Sequence, residues 1–365
     1  MEAAPFSGDD SFVERQTSEE SLQMQICDPV HNPGWDHLVA LHRDAGCFHT
    51  SAWAKVLHQT YNHHPFYLRF SRGRRLAALI PLMEVRSPFT GCRGVCLPFS
   101  DACEPLIFDP AAADLVRDRV VRFAQERRWK HLEIRGGKLF QVISSSAATF
   151  YGHTLDLSRH VDELANRFDS PVRRAIRKAE RSNVSVLVGR SRQAIGDFYR
   201  LHVQTRRRHG LPPQPTSFFL NIYEHIIKPG LGFTVVAQRD SRPIAAAIFF
   251  RFGKNALYKY AASDKRFQEF RANNLVMWQG IQLLVRTGVE KLHFGRTECD
   301  NDGLRRFKLS WDTQEETITY YRVDESGRQC LVPPPRNSGF HKGVFGRLPL
   351  VFNRLAGSII YPHLD

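Results

Sequence analysis

The feature that most constrains the fold of this chain is a pattern of secondary structure that occurs twice along it. Each copy has two β-prone runs around a polar turn, then an amphipathic helix, then a short β-prone run. The first copy comprises 66–70, 76–80, 114–127 and 129–134, and the second comprises 233–237, 244–248, 274–286 and 291–294. We therefore expect two α/β units related by duplication. The alternative is a mixed α/β chain whose elements repeat without such an origin.

The size of the chain agrees with two domains, because 365 residues with 42% hydrophobic content can build two ordinary cores. We assign a disordered tail to 1–25, a first domain to 26–155, a second domain to 156–325 and a C-terminal amphipathic tail to 326–365. The polar N-terminus lacks the apolar stretch of a signal peptide, and no apolar run is long enough to span a bilayer. A cytoplasmic location, with membrane contact at most peripheral, is therefore predicted.

The formal net charge of +14 predicts an anionic partner, and phosphate-bearing substrates, nucleic acid and an acidic membrane surface all remain open. A predicted helix capped by Ser170 carries part of this charge. Its side chains Arg173, Arg177 and Lys178 are candidate contacts for substrate phosphates, since arginines four residues apart share a helix face. The alternative is a solvated basic face. The seven cysteines include no Cys-x-x-Cys pair and no nearby histidine, so no metal site is predicted.

The C-terminal tail has apolar residues at helical spacing, with basic residues between them. The apolar positions are Val344, Phe345, Leu348, Val351, Phe352, Leu355 and Ile359, and the basic ones are Lys342, Arg347 and Arg354. Two interpretations are open for this amphipathic helix. It packs against one of the domains, or it docks on the anionic inner surface of a membrane.

The densest run of candidate functional residues lies between 294 and 311, directly after the last predicted strand of the second unit. The carboxyl ends of strands are favoured ligand positions in α/β sheets. Gly295 and Gly303 allow the backbone to approach a substrate closely. Lys308 can stabilise the oxyanion of an acyl-transfer intermediate or bind a phosphate. The alternative is a basic surface loop.

Four motifs in this order resemble the Fem-like branch of the GNAT acyltransferase superfamily. The first motif consists of Phe294-Gly295-Arg296-Thr297, a Gly-containing spacer, Phe307-Lys308 and Trp311. The second consists of Ser51-Ala52-Trp53 with Tyr61 and His64-Pro65. The third is Leu97-Pro98-Phe99-Ser100-Asp101, and the fourth is the basic helix with Arg173 and Arg177. Together they span roughly residues 45 to 325.

The resemblance implies an α/β (α+β) fold of two tandem GNAT-like domains, with mixed sheets flanked by helices and a C-terminal segment that returns to the first domain. It also implies transfer of an acyl or aminoacyl group onto an amine without a metal or a tightly bound cofactor. The co-substrate is aminoacyl-tRNA or acyl-CoA, and the acceptor is a phosphate-bearing, nucleotide- or lipid-linked envelope precursor. No obligate protein partner is implied.

The resemblance suggests site residues as well. Lys308 matches the lysine near the reacting centre, and the predicted substrate contacts beyond the basic helix are Trp53, Tyr61, Tyr260, Gly295, Arg296, Thr297 and Phe307. The stretch 266–274 has no glycine where acyl-CoA enzymes have a pyrophosphate loop. Its residues Arg266, Arg271 and Asn273 are the candidate cofactor contacts.

Asp101 and Glu298 are the candidate general bases, and positioning with oxyanion stabilisation is the alternative that needs neither. The preferred function is acyl or aminoacyl transfer to an amine of a cell-envelope or polysaccharide precursor. The alternatives are an acyl-CoA-dependent N-acetyltransferase acting on a small amine, and a non-catalytic basic module that binds tRNA or other nucleic acid.

Overall fold

The computed structural model describes residues 21–32, 34–143, 146–326, 345 and 349–364. The strands are β1 (Leu22–Cys27), β2 (His64–Pro65), β3 (Tyr67–Arg72), β4 (Arg75–Ile80), β5 (Met83–Ser87), β6 (Gly91–Cys96), β7 (Leu106–Ile107), β8 (His131–Arg135), β9 (Ser146–Asp156), β10 (Ser185–Gly189), β11 (Gly232–Arg239), β12 (Arg242–Phe252), β13 (Asn255–Ser263), β14 (Lys291–His293), β15 (Thr297–Glu298) and β16 (Gln314–Asp324). The helices are α1 (Trp35–Ala40), α2 (Ser51–Tyr61), α3 (Ala113–Glu126), α4 (Val161–Arg167), α5 (Ser170–Arg181), α6 (Arg192–Arg208), α7 (Thr216–Ile222), α8 (Ala272–Arg286), α9 (Asp302–Leu309) and α10 (Leu350–Ile360).

Most of the strands join one continuous mixed sheet, in the order β10-β11-β12-β13-β14-β9-β16-β8-β6-β5-β2, with β15 paired to β9. A second sheet has the order β1-β3-β4-β7. Helices cover these sheets, as where α8 packs on β11 and β12 and also contacts α5. This architecture confirms the predicted α/β fold with mixed sheets and flanking helices.

The C-terminal strand of the large sheet crosses from one unit to the other. β16 follows the elements of the second unit in sequence, yet it pairs antiparallel with β8 of the first unit and with β9. β9 in turn pairs with β14 of the second unit. The return of the C-terminal segment, expected from the resemblance, is therefore present. The predicted boundary at residue 155 falls within β9, and the division into domains stays a prediction.

Two local expectations differ from the structure. The alternative interpretation of Gly303 to Lys308 as a surface loop is wrong: these residues belong to α9, and the Asn301 side chain caps this helix by accepting a hydrogen bond from Leu304 N (3.1 Å). Ser170 was expected to be the cap of α5 but is its first residue. Asp169 occupies the N-cap position without a side-chain hydrogen bond.

Two large apolar clusters form the core. Trp53 and Phe250 pack together in the first cluster, with ring centroids 5.8 Å apart, so this cluster joins α2 of the first unit to β12 of the second. Trp311 lies in the second cluster against Phe168, with centroids 5.0 Å apart. The two units are therefore packed together by apolar side chains beside the shared sheet.

The predicted disordered tail falls largely on residues 1–20, and most of the predicted amphipathic tail on 327–344 and 346–348, outside the described residues. The described part of that tail is the helix α10 with a short 3-10 turn, Tyr361–His363, after it. In the part of the chain that the structure covers, no helix has the length and apolarity needed to cross a bilayer.

Candidate active site

A cleft of about 530 Å³ opens where the two units meet strand β16. Its walls come from the loop around Phe48 and the 101–106 segment of the first unit, from β12–β14 of the second, and from residues 314–318 of β16. The polar residues that line it include His42, Asp44, His49, Asp101, Glu104, Arg251, Asn255, Lys291, His293, Glu315 and Glu316.

Asp101 spans the gap between two strands of the second unit. The parallel pairing of β13 with β14 stops after Leu257 and His293. Because the register of β12 and β13 shifts here, Lys259 has no paired residue on β12. Lys259 Nζ lies 2.8 Å from Asp101 Oδ2 and 2.8 Å from Phe99 O. The loop that carries Asp101 therefore reaches from the first unit to the separating strands of the second.

The backbone at Gly295 and Arg296 completes this contact. Arg296 N lies 3.4 Å from Asp101 Oδ1. Gly295 has a φ of 72°, which favours glycine, and a Cβ at this position would make an ordinary van der Waals contact with Asp101 Oδ1 (3.5 Å). Burial alone would raise the pKa of Asp101, but the charge and hydrogen bond of Lys259, together with the charge of Arg296 and the nearby His293, outweigh burial and lower it. Asp101 is therefore ionised.

His293 lines the cleft as a neutral ring. Burial lowers its pKa to about 4. Its Nδ1 lies 2.9 Å from Gly295 N, which can only donate, so Nδ1 accepts and the neutral ring carries its proton on Nε2. Nε2 is 3.7 Å from Glu316 Oε1. His293 therefore presents a hydrogen-bond donor to the cleft.

Lys308 lies one layer behind the cleft wall. Its Nζ donates to Gly295 O (2.7 Å) and to Arg296 O (3.1 Å), and the residue is 4% exposed. Burial lowers its pKa to about 8, and the charge of Asp101 partly opposes this effect. Lys308 thus fixes the turn on which the contact with Asp101 depends.

The charge of the cleft is the reverse of what the net charge of the chain suggested. Its lining includes the acids Asp44, Asp101, Glu104, Glu315 and Glu316, against the cations Arg251 and Lys291. The anionic partner predicted from the net charge therefore does not match the lining of this cleft. Partial burial in the cleft wall, together with the carboxylates of Glu316 and Asp44, raises the pKa of Glu104. An acidic cleft attracts an ammonium group rather than a phosphate.

The predicted substrate contacts Trp53, Tyr61 and Tyr260 lie beside the cleft rather than in it. Trp53 is fully buried, and its Nε1 donates to Pro98 O (3.3 Å), so it supports the loop that leads to Asp101. Tyr61 is buried and packs against Phe99, with ring centroids 5.1 Å apart. The half-buried Tyr260 follows Lys259 and packs among aromatic rings of α6 and α7.

The predicted contacts near the end of the second unit are divided. Arg296 reaches Tyr320 Oη through Nη1 (2.8 Å), whereas Thr297 is buried and its backbone pairs with β9. Glu298 is exposed, 4.0 Å from Arg296, and is not among the residues that line the cleft. Phe307 packs on Trp311 of the core, with centroids 6.2 Å apart.

The basic helix α5 lies away from the cleft, with its apolar side packed on α8. Arg173 Nη1 donates to Phe168 O (2.9 Å), and Arg177 and Lys178 are exposed. Nearby, the exposed Arg266 pairs with Asp264 (2.6 Å), Arg271 is exposed, and Asn273 Nδ2 lies 3.3 Å from Ser263 Oγ. These residues are brought together with one another but not with Asp101 and Lys308.

Sequence reasoning missed Lys259, His293 and the acidic residues Glu104 and Glu316. The available signal was weak. Lys259 is a charged residue inside an otherwise apolar strand, and His293 stands directly before the Phe-Gly-Arg motif. Across the described residues, no group of three or more His, Cys, Asp or Glu side chains is arranged to hold a metal ion.

Comparisons with known proteins agree with this architecture. Residues 166–309 match a family model described as an acetyltransferase (GNAT) domain. The chain is similar to the UDP-N-acetylmuramoylpentapeptide-lysine N(6)-alanyltransferase of Weissella viridescens, with 23% identity over 158 residues, 42% of this chain and 46% of that protein. The match thus spans about half the length of that curated relative.

Three solved structures share the fold across most of the chain. FemX gives a TM-score of 0.66 at 14% identity, covering 81% of this chain and 96% of that one. A tandem GNAT protein from the clavulanic acid biosynthesis pathway gives 0.53 at 12%, covering 84% and 99%. L-PGS from Bacillus licheniformis gives 0.53 at 11%, covering 88% and 98%. The matched GNAT domain, the alanyltransferase relative and the fold shared with FemX together support the resemblance of this chain to the Fem-like branch of the GNAT acyltransferase superfamily.

Proposed function

We propose that this chain transfers an acyl or aminoacyl group onto the amine of a cell-envelope or polysaccharide precursor, and that the reaction takes place in the cleft between the two units. The observation that carries the proposal is the acidic cleft at the point where β13 and β14 separate, closed on one side by the Asp101–Lys259 pair. The similarity to a UDP-N-acetylmuramoylpentapeptide-lysine N(6)-alanyltransferase supports the same class of acceptor.

The chemistry requires an amine acceptor to enter as an ammonium and to lose one proton before it attacks. The nitrogen then bonds to the donor carbonyl carbon, the C–O bond of an aminoacyl ester or the C–S bond of a thioester breaks, and a second proton moves from nitrogen to the leaving atom. Acidic side chains suit the first step, because they bind the ammonium. We assign ammonium binding to Asp101 and Glu316, and proton acceptance to Glu104, whose raised pKa favours it over the ion-paired Asp101.

The tetrahedral intermediate needs positive charge or hydrogen-bond donors near its oxyanion. We assign this role to the Nε2–H of His293, which faces the cleft, and to the fixed charge of Lys308 behind it. Lys308 also positions Gly295 and Arg296, so it contributes to the site by orientation as well as by charge. Both aminoacyl-tRNA and acyl-CoA remain candidate donors. If the donor is acyl-CoA, Arg266, Arg271 and Asn273 are the candidate residues that bind it.

The direct test is to incubate the full chain with UDP-N-acetylmuramoylpentapeptide and either aminoacylated total tRNA or acetyl-CoA, and to follow the precursor by mass spectrometry. We expect a precursor that is heavier by one aminoacyl residue with the first donor. A gain of one acetyl group identifies the second donor instead. No product with either donor, on this precursor or on its lipid-linked form, would contradict the proposal.

Substitution of Lys308 tests the assigned role. Lys308→Met should lower turnover about 100-fold, as expected for loss of one oxyanion-stabilising group. Lys308→Arg should retain more activity, and acceptor binding should change little in both. Arg306→Met, which removes a charge from the exposed side of the same helix α9, is the matched control and should leave turnover unchanged. Equal losses in the Lys308 and Arg306 variants would refute the role of Lys308.

A further inference from the structure

The C-terminal helix α10 is oriented with its polar and small residues inward and its apolar residues outward. Asn353 and Gly357 are buried against the rest of the protein. We use the name apolar stripe for Val351, Phe352, Leu355 and Ile359, which are 74%, 59%, 57% and 58% exposed. These positions lie on one side of the helix, because three of them are spaced by four residues and the fourth is adjacent. A helix in water normally buries such a side.

The orientation of α10 is fixed by specific contacts. A Cβ on Gly357 would lie 1.9 Å from Pro213 O, so only glycine permits this close approach of the helix. Asn353 Nδ2 donates to Phe345 O (3.0 Å), and Arg354 Nη2 donates to Thr216 Oγ1 (3.0 Å). Rotation of the helix to bury the apolar stripe would break all three contacts.

The segment after α10 connects the helix to both units. Tyr361 is buried, and Arg206 of α6 donates to its hydroxyl (2.7 Å). Arg93 of β6 donates to His363 O (2.9 Å), and the His363 ring packs on Phe89 with centroids 5.0 Å apart. The apolar stripe is therefore part of the folded protein and is held outward on a rigid support.

The charges around α10 indicate what covers the stripe. The helix contains Arg354 and no acidic residue, and the last turn of α6, against which it packs, contains Arg206, Arg207 and Arg208. The whole chain has 51 Lys and Arg residues against 37 Asp and Glu. Exposed apolar side chains with neighbouring arginines match the interface of an anionic bilayer, where the apolar groups enter the acyl boundary and the cations meet lipid phosphates. Two copies facing each other would instead oppose like charges.

We propose that the apolar stripe of α10 docks the protein on an anionic phospholipid surface. This places the enzyme where a lipid-linked acceptor would be presented, but it does not depend on the transfer reaction. Vesicle binding is measured without turnover, so this inference and the proposed function can fail separately.

The test is co-sedimentation of the full chain with vesicles of phosphatidylcholine alone or of phosphatidylcholine with phosphatidylglycerol. We expect binding to the anionic vesicles, weakened by salt, and little binding to the neutral ones. Replacing all four residues of the apolar stripe by serine should weaken binding by about tenfold or more. The control replaces Leu41, Val142 and Leu187, exposed apolar residues elsewhere, by serine and should bind as the original chain does.

A fluorescence measurement keeps the proposal testable if the serine variant folds poorly. Trp35, Trp53, Trp129 and Trp311 are fully buried and Trp278 is only 8% exposed, so Phe352→Trp adds an exposed fluorophore whose emission should shift to the blue when anionic vesicles are added. Three results would overturn the proposal. They are no binding to anionic vesicles, equal binding by the stripe variant, or a dimer in light scattering that the stripe variant dissociates.

Discussion

The ion pair between Asp101 and Lys259 should couple the two units energetically, and a double-mutant cycle can measure this coupling. Asp101→Asn keeps the shape of the side chain and removes its charge. Lys259→Met keeps most of the length of the side chain and removes its charge. The two side chains are 16% and 7% exposed, so solvent screens their interaction only weakly.

The expected magnitude follows from the geometry. Unit charges 2.8 Å apart attract by about 6 kcal/mol at an effective dielectric constant of ~20. The desolvation cost of each ion cancels in the cycle, so the coupling energy reports the attraction less any rearrangement of Asp101 toward Arg296, and we expect about 3 kcal/mol. The single substitutions should be unequal. Asp101→Asn leaves Lys259 buried near Arg296 and should cost about 4 kcal/mol, whereas Lys259→Met leaves Asp101 with Arg296 and should cost about 2 kcal/mol.

The assay is urea unfolding of the original chain, the two single variants and the double variant. Their free energies of unfolding are compared with one common dependence on urea concentration. The pKa of Asp101 is lowered in the folded state, so the contribution of the pair should be complete above the unfolded pKa of ~3.9 and should be lost as the pH falls through the lower folded value. A coupling energy below about 0.5 kcal/mol, or costs in the opposite order, would refute this account of the contact between the units.

Three further predictions concern titration and packing. The pKa of Lys308 is about 8 in the folded protein and ~10.4 in the unfolded chain, so the free energy of unfolding of the original chain should rise by about 3 kcal/mol between these pH values, as the buried ammonium is lost. Lys308→Met should remove this rise. Parallel pH profiles of the two proteins would contradict the prediction. The ring of His293, whose pKa is about 4, should stay neutral at about pH 5.5 in NMR spectra, and stability that it contributes above ~6.5 should be lost as the pH falls toward 4; a ring that titrates near ~6.5 would disprove its burial. Gly196→Ala should stabilise the protein by about 0.5 to 1 kcal/mol in the same urea assay, because the new methyl group on α6 enters open space. Gly280→Ala should cost about 2 kcal/mol, because its Cβ would lie 2.3 Å from the Phe249 ring. Equal effects of the two substitutions would contradict the packing of α8 on β12.

Sequence reasoning located most elements because their signals are local. The hairpin of β11 and β12 is visible in the sequence as two apolar runs around a polar turn. Helix α8 is visible as apolar residues at helical spacing. The alternative interpretation of α9 as a loop was wrong, since this glycine-containing run is a helix capped by the Asn301 side chain. Part of the candidate site was accessible in the same way, since Asp101 and Gly295 lie in motifs and do come together.

The α/β character of this chain is readable from its residues, since it needs only periodicity and turn residues, whereas the GNAT-like type of the fold came from the resemblance of its motifs. Four features become visible only in the folded protein: β16 returns to β8, Lys259 meets Asp101 across the units, the cleft is acidic, and α10 faces its apolar stripe outward. These features depend on contacts between residues far apart in the chain. Local patterns state which side chains are charged or apolar, but only packing fixes what each one faces.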